Sequence, residues 1–185
     1  MGAMRPAGGT IAATPCCPCE DVHRKETEMA VKLAGLEDNA RKTAITELQA
    51  CMSDGLALSM ALKQAHWNMR GPNFIAVHEL MDQVKARLDP GVDAMAERIQ
   101  QLDGTAVGTV EEVAKATALP PYPTDVTKVA DHLKEVSARM RAMGERLRGA
   151  IDTVDEAGDA DSADILTEVS RQVDKDLWFI QSHLD

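Results

Sequence analysis

Apolar residues recur at intervals of three and four through four long segments, and this periodicity constrains the fold more than any other feature. The clearest stripe consists of Phe74, Val77, Met81, Val84, Leu88, Val92, Met95, Ile99 and Leu102. Such spacing places the apolar side chains on one face of an α-helix. Similar stripes predict further helices over about 38–69, 124–153 and 162–183. Four long amphipathic helices with one long middle connection predict an all-α four-helix bundle with a crossover.

Turn-forming residues separate the predicted helices. Gly71 and Pro72 end the first helix, and Asn73 is available as an N-cap for the second. The crossover is expected to carry a short extra helix at about 110–117, and the acidic residues 155–161 are expected to separate the last two long helices.

Pro90-Gly91 interrupts the second stripe. Proline removes a backbone donor and clashes with the preceding turn, so we expect a kink there but not two separate helices.

Residues 1–37 are expected to form a flexible N-terminal tail that could include a short helix, with the bundle over 38–185. The start of the tail is rich in Gly, Ala, Pro and Thr and has no periodicity. A group of potential metal ligands in it comprises Cys16, Cys17, Cys19, Glu20 and His23. These match no standard zinc spacing, so a disordered, oxidisable tail is favoured. Cys51, alone in a helix, is expected to be a small buried hydrophobe.

The overall charge and hydropathy exclude some classes of function. A formal net charge of −10 argues against nucleic-acid binding by the folded body, because phosphate would repel it. No apolar run approaches the roughly 18–20 residues needed to cross a bilayer. No signal-peptide pattern is present at the N-terminus, so the expected location is cytoplasmic.

Two histidines and three carboxylates in the first helical hairpin are candidate metal ligands: His66, His78, Asp82, Asp93 and Glu97. His78 and Asp82 are four residues apart, as are Asp93 and Glu97, so each pair projects from one side of a helix. Mixed imidazole and carboxylate ligands suit iron, manganese or zinc. Surface carboxylate stripes and acid pairs are also common in proteins that bind no metal. Spacing alone therefore does not distinguish a metal site from an ordinary acidic surface.

Distance divides these candidates into two groups. An antiparallel hairpin would place His66 level with His78 and Asp82. The middle of the Asp93–Glu97 pair lies 15 residues further along the same helix, or roughly 22 Å at 1.5 Å per residue. Either the chain carries two half-sites, or two copies of this helix run antiparallel across a two-fold axis and form two identical shared sites.

The stretch KQAHWNMRGPNFIAVHELMDQVKARLDPGVDAMAERIQQLDG resembles the signature of Dps, the DNA-binding protein from starved cells, a miniferritin family. The similarity continues through YPTDVTKVADHLKE and DSADILTEVSRQVDKDLWFIQSHLD and covers roughly Lys42 to the C-terminus. The resemblance implies a ferritin-like bundle, a hollow homododecameric shell and a ferroxidase site shared by two-fold-related subunits. It also implies that Fe(II) is oxidised, preferentially by hydrogen peroxide, and stored as a ferric mineral.

By position, the resemblance makes His66, His78 and Asp82 ligands from one subunit, completed by Asp93 and Glu97 of the partner subunit. Zinc or other divalent metals could replace iron at such ligands.

Other residues acquire roles from the same resemblance. Trp67 resembles the tryptophan beside the family's ferroxidase centre, where it would intercept oxidising equivalents, although a helix-packing role is equally compatible with the sequence. Asp159, Asp161 and Asp164 are similar to the acidic stretch lining the family's pore for iron, with a solvated acidic loop as the alternative.

Two departures from the family pattern limit the resemblance. Pro90-Gly91 lies between the two ligand pairs and could shift the second. DNA binding in this family often relies on a lysine-rich tail, but this tail has Arg5 and no further basic residue until Arg24 and Lys25. DNA binding is therefore possible but disfavoured. The alternative function is a non-catalytic, DNA-binding or nucleoid-compacting shell with an impaired metal site.

Overall fold

The computed structural model describes residues 1–2, 33 and 35–184, and every regular element within them is a helix. The helices are α1 (Asp38–Asn68), α2 (Phe74–Gln101), α3 (Val110–Ala116), α4 (Val129–Ala157) and α5 (Ala160–Gln181). The all-α prediction and the short extra helix in the crossover are confirmed.

The four long helices surround a common core. Helix α1 packs against α2 and α4, α5 packs against α4 and α2, and the short α3 lies against α1. The core consists of aliphatic and methionine side chains, and every member of the predicted α2 stripe except Phe74 is buried. Burial of this face is the main stabilisation of an amphipathic helix, since helix propensity alone supplies little.

The bounds of α1 and α2 agree with the sequence prediction within one residue, but α4 begins five residues later than expected. The backbone N–H of Arg70 donates to Thr127 O at 2.7 Å, and the N–H of Val129 donates to Arg70 O at 3.1 Å. This pairing holds Lys128 in extended conformation beside the end of α1. The chain therefore enters the helix only at Val129.

The prediction that the acidic residues 155–161 separate the last two helices is wrong over most of that segment. Helix α4 continues through Ala157, and only Gly158 and Asp159 lie between it and α5. Gly158 ends α4 with φ of 96°, a conformation that glycine adopts without steric cost. Asp159 then caps α5 by accepting the backbone N–H of Ser162. Asn73 lies at the start of α2 but makes no side-chain capping bond there.

Helix α2 continues through Pro90 without a break, which confirms that the stripe belongs to one helix. A Cβ atom at Gly91 would lie 2.7 Å from Cγ2 of the buried Val169. Glycine is therefore needed here for the close approach of α2 and α5. The kink itself stays a prediction.

The predicted tail, with Cys16, Cys17 and Cys19, lies almost entirely outside the described residues. Cys51 is fully buried, and burial raises the pKa of its thiol to about 12, as expected for a packing residue without reactivity. Among the helices that the structure describes, none is long and apolar enough to cross a membrane.

Candidate metal centre

The α1–α2 hairpin brings two candidate histidines into direct contact. His66 lies in the last turn of α1, and His78 lies in the second turn of α2. Their rings stack with centroids 3.6 Å apart and an interplanar angle of 19°. Phe74, one turn before His78, adds an aromatic wall with its centroid 5.0 Å from the His78 ring. The hairpin register therefore places the two rings level, as the sequence predicts.

Reciprocal hydrogen bonds fix the proton positions on both rings. Nδ1 of His66 lies 2.9 Å from the backbone oxygen of His78, and Nδ1 of His78 lies 2.9 Å from the backbone oxygen of His66. A carbonyl oxygen only accepts, so each Nδ1 must donate. In the neutral rings each Nε2 then carries a lone pair. Metal-binding histidines are commonly held in this way, with the second ring nitrogen donating to a carbonyl group.

Asp82 adds an ionised carboxylate beside the histidines. Its Oδ1 lies 3.4 Å from His66 Nδ1, a longer contact than the 2.9 Å hydrogen bond of that nitrogen to the His78 carbonyl. Lys63 Nζ donates to the same Asp82 oxygen at 2.6 Å, and this hydrogen bond holds the pKa of Asp82 below its ordinary value. Asp82 is thus ready to bind a cation, and an ammonium group already lies against it.

Sequence reasoning missed Lys63. Lysine three residues before His66 lies on the same face of α1, so the spacing carried a signal. The ammonium also lies 5.5 Å from the centroid of Trp67. Trp67 is 63% exposed, so within the subunit it is not a helix-packing residue. The structure therefore places a cation and an exposed indole next to the candidate ligands.

Asp93 and Glu97 lie apart from this group, further along the continuous α2. Both side chains are exposed, and neither makes a side-chain hydrogen bond or an ion pair in residues 35–184. Asp93 borders a shallow surface cavity of about 340 Å³. Within the part of the chain that the structure describes, no three histidine, cysteine or acidic side chains converge on one point as a complete metal site. The structure thus places His66, His78 and Asp82 side by side at one end of the hairpin, without converging on one ion, and leaves the second pair separate.

The three candidate pore residues differ in environment. Asp159 is 3% exposed, accepts Arg98 Nη2 at 2.8 Å and Ser162 Oγ at 2.6 Å, and caps α5. Its charge is therefore balanced inside the subunit. Asp161 and Asp164 are exposed and present their carboxylates to the surface. The pore assignment stays a prediction, with these two as its stronger members.

The donor set of the hairpin fits a divalent transition metal. Two imidazole Nε2 atoms and one ionised carboxylate are ligands that iron, zinc and related ions accept. The cysteine of the hairpin, Cys51, lies about four turns before His66 and is too far away to favour zinc. Three donors leave room for further carboxylates. Those carboxylates must come from outside the group, because Asp93 and Glu97 of the same subunit are about 22 Å away along α2.

The chain is similar in sequence to a known protein family and to several of its members. A family model of the ferritin-like domain matches residues 45–185. The DNA protection during starvation protein of Agrobacterium fabrum is 46% identical over 149 residues, covering 80% of this chain and 92% of the relative. The protein of the same name from Mycolicibacterium smegmatis is 30% identical, covering 83% of each.

Two solved structures agree with these relatives. DpsC from Streptomyces coelicolor superposes with a TM-score of 0.80 at 30% identity, covering 83% of this chain and 90% of that one. Dps from Microbacterium arborescens, determined in a high-iron form, superposes with a TM-score of 0.75 at 36% identity, covering 80% and 96%.

Proposed function

The chain belongs to the ferritin-like family and, within it, to the Dps proteins, and on this premise we propose that it oxidises Fe(II) with hydrogen peroxide. The ferric product is stored inside a homododecameric shell, which protects the cell against oxidative damage. Two Fe(II) ions deliver two electrons to one peroxide molecule, which takes up two protons from water and leaves as two water molecules. This stoichiometry releases no hydroxyl radical. The proposal includes the cytoplasmic location that the sequence leads us to expect.

One observation carries the proposal: His66 and His78 each donate through Nδ1 to a backbone carbonyl at 2.9 Å. In the neutral form of each ring, this arrangement leaves Nε2 as the free donor, and the ionised Asp82 lies beside the two rings. These nitrogen and oxygen atoms would bind the substrate Fe(II). Zinc and other divalent ions are expected to compete for the same donors.

We further propose that Asp93 and Glu97 of the partner subunit complete each site across a two-fold axis. Both side chains are exposed and lie outside the ion pairs of the described residues, which leaves their charge available. The continuity of α2 through Pro90 keeps a helical register between the two ligand groups. This continuity favours a working site over the alternative of a shell with an impaired one.

Stopped-flow addition of hydrogen peroxide to the anaerobic, Fe(II)-loaded protein tests the function. We expect ferric absorbance that co-elutes with a large protein particle, at two Fe(II) per peroxide. Replacing both His66 and His78 with alanine should lower the rate to that of a protein-free solution. His183→Ala, which removes an exposed histidine at the C-terminus, is the matched control and should oxidise iron normally. Equal rates in the double variant and the wild type would contradict the proposal.

A further inference from the structure

A tyrosine and a buried histidine form a hydrogen-bonded pair that the proposed iron chemistry does not use. Tyr122 lies in the crossover, and His132 lies in the first turns of α4. The phenol oxygen is 2.8 Å from His132 Nδ1. His132 is fully buried, and Tyr122, the single tyrosine of the chain, is half-buried.

The protonation state of His132 decides which way this hydrogen bond runs. Burial lowers the pKa of His132, so the ring is neutral and carries one N–H. Backbone groups at Asn68 and Val126 raise the pKa against the effect of burial, but Nε2 has no hydrogen-bond partner among the described residues. With the proton on Nε2, the lone pair of Nδ1 faces the phenol. Nδ1 then accepts from the Tyr122 hydroxyl, which has no other partner among the described residues.

Arg139 makes the loss of an electron from Tyr122 depend on the loss of a proton. Its guanidinium carbon lies 4.6 Å from the centroid of the Tyr122 ring, and the side chain is 2% exposed. Glu135 Oε2 accepts from the guanidinium at 2.8 Å, and the Pro121 carbonyl also accepts from it. A fixed positive charge over the ring disfavours a second positive charge on it. An oxidised Tyr122 must therefore release its proton, and His132 Nδ1 is in place to take it.

The pair lies beside the end of α1 that carries the candidate ligands. His132 adjoins the backbone of Asn68, which follows Trp67 and lies two residues after His66. The backbone pairing of Arg70 with Thr127 and Val129 holds the crossover against the same end of the helix.

We propose that Tyr122 and His132 form a proton-coupled electron donor that intercepts one-electron oxidants, such as the hydroxyl radical that forms when a single Fe(II), not a pair, reduces peroxide. The electron passes from Tyr122 to the oxidant, so hydroxyl radical becomes hydroxide. The phenol proton moves to Nδ1 of His132, leaving a neutral tyrosyl radical and an imidazolium. One Fe(II) then returns an electron to the tyrosyl radical and becomes Fe(III), and the proton moves back to the phenol oxygen. The iron-dependent part rests on the proposed function.

A structural role uses the same hydrogen bond, because it ties the crossover to α4. The two roles differ in their consequences. An anchor needs only a hydrogen bond, whereas the redox role needs a base at the position of Nδ1. Because that base is internal, oxidation of Tyr122 would not depend on bases in the solvent.

Flash photolysis with a ruthenium tris-bipyridine photo-oxidant and persulfate tests the pair without iron. We expect a tyrosyl EPR signal in the wild type, altered in hyperfine splitting when the protein contains β-deuterated tyrosine, and no such signal in Tyr122→Phe. In His132→Asn the rate of tyrosine oxidation should fall by at least about tenfold and become dependent on buffer base. Absence of the wild-type signal, or an unchanged rate in a folded His132→Asn protein, would overturn the proposal.

The wild type alone supplies a second measurement if His132→Asn fails to fold. Its rate of tyrosine oxidation should not change with the concentration of buffer base, because the proton acceptor is internal. A rate that rises in proportion to buffer base would mean that the proton goes to solvent, and the pair would then not be a proton-coupled donor.

Rapid-freeze EPR during iron oxidation tests the link to the iron site. With excess peroxide, we expect a transient tyrosyl signal in the wild type, and Tyr122→Phe should oxidise Fe(II) at the same rate but accumulate more oxidised tryptophan. Iron oxidation without any tyrosyl signal would overturn the interception step. If iron is not oxidised but the photochemical radical forms, the proposed function fails while the redox pair is supported.

Discussion

At the scale of single residues, Lys63 lies where a divalent cation would approach Asp82. Its ammonium is 2.6 Å from Oδ1, and the carboxylate side chain is 49% exposed. The metal ion and the ammonium cannot share this oxygen without repulsion. If Asp82 binds metal as proposed, Lys63 competes with the substrate, and its displacement is part of the cost of binding.

Replacing Lys63 with methionine should strengthen metal binding. Methionine keeps the length of the side chain and removes the competing charge. Exposed ion pairs are weak, so the expected gain in affinity is about two- to fivefold, measured by calorimetric titration with Co(II). Lys85→Met is the matched control, because Lys85 pairs with Asp89, which is not a candidate ligand, at the same 2.6 Å. Weaker binding in Lys63→Met, or an equal gain in the control, would count against the competition.

The sequence predicts some residue roles and misses others for identifiable reasons. The contact of His66 with His78 follows from helical spacing and a short loop, so the sequence predicts it. The reciprocal carbonyl hydrogen bonds depend on the axial rotation of two helices against each other, which spacing does not specify. The pairing of Tyr122 with His132 depends on the path of an irregular connector and has no periodic signal.

At the scale of elements, a buried ion pair joins the end of α2 to the start of α5. Asp159 accepts from Arg98 and caps α5. Removing the carboxylate leaves a guanidinium with 8% exposure without its main partner. Asp159→Ala should lower the free energy of unfolding by about 3–5 kcal/mol, measured by urea denaturation at fixed protein concentration. Asp161→Ala is the control: the Asp161 side chain is 85% exposed, so its removal should leave the urea midpoint unchanged. A small loss in Asp159→Ala would contradict the assigned role.

The contact between α2 and α5 at Gly91 gives a second prediction at this scale. Gly91→Ala would bring a Cβ atom to 2.7 Å from Val169 Cγ2, so overpacking should cost about 1–3 kcal/mol. Gly149→Ala meets no atom within 4 Å and lies in α4, so it should gain about 0.5–1 kcal/mol from helix propensity. Thermal unfolding of both variants checks this prediction: the melting temperature should fall in Gly91→Ala and rise in Gly149→Ala. Stabilisation by Gly91→Ala would show that the close approach is not required.

The sequence predicts helices where the apolar stripes are continuous and loses accuracy at their ends. The bounds of α1 and α2 follow from turn residues that flank them directly. The start of α4 depends on backbone pairing with Arg70, a residue distant in sequence. The sequence prediction misplaces the end of α4 because acidic residues do not by themselves end a helix, whereas Gly158, at positive φ, does.

At the scale of the whole molecule, the net charge of −10 per chain would be multiplied in a shell. Such a surface repels nucleic acid unless a basic segment compensates. Despite the name of its relatives, we expect no gel retardation of plasmid DNA at about 0.15 M salt. Retardation at that salt concentration would contradict this expectation, and a variant lacking residues 1–37 would then show whether the tail is responsible.

The proposed shared site would also be a property of the whole molecule. His66 at the end of α1 lies beside His78 and Asp82 near the start of α2, and Asp93 and Glu97 lie about 22 Å further along α2. If two copies of α2 run antiparallel across a two-fold axis, each dimer contains two sites with ligands from both chains. His78→Ala damages the first group and Asp93→Asn the second, so each variant alone should be inactive. A mixed dimer retains one complete site.

Iron oxidation by co-assembled His78→Ala and Asp93→Asn subunits tests the central claim most directly. The two variants are purified separately, unfolded, mixed and refolded, and mixed shells are verified by native mass spectrometry with one variant isotopically labelled. The shared site predicts that peroxide-dependent Fe(II) oxidation, absent in each parent shell, returns in the mixed shells in proportion to the fraction of mixed dimers. Verified mixed shells as inactive as their parents would contradict it.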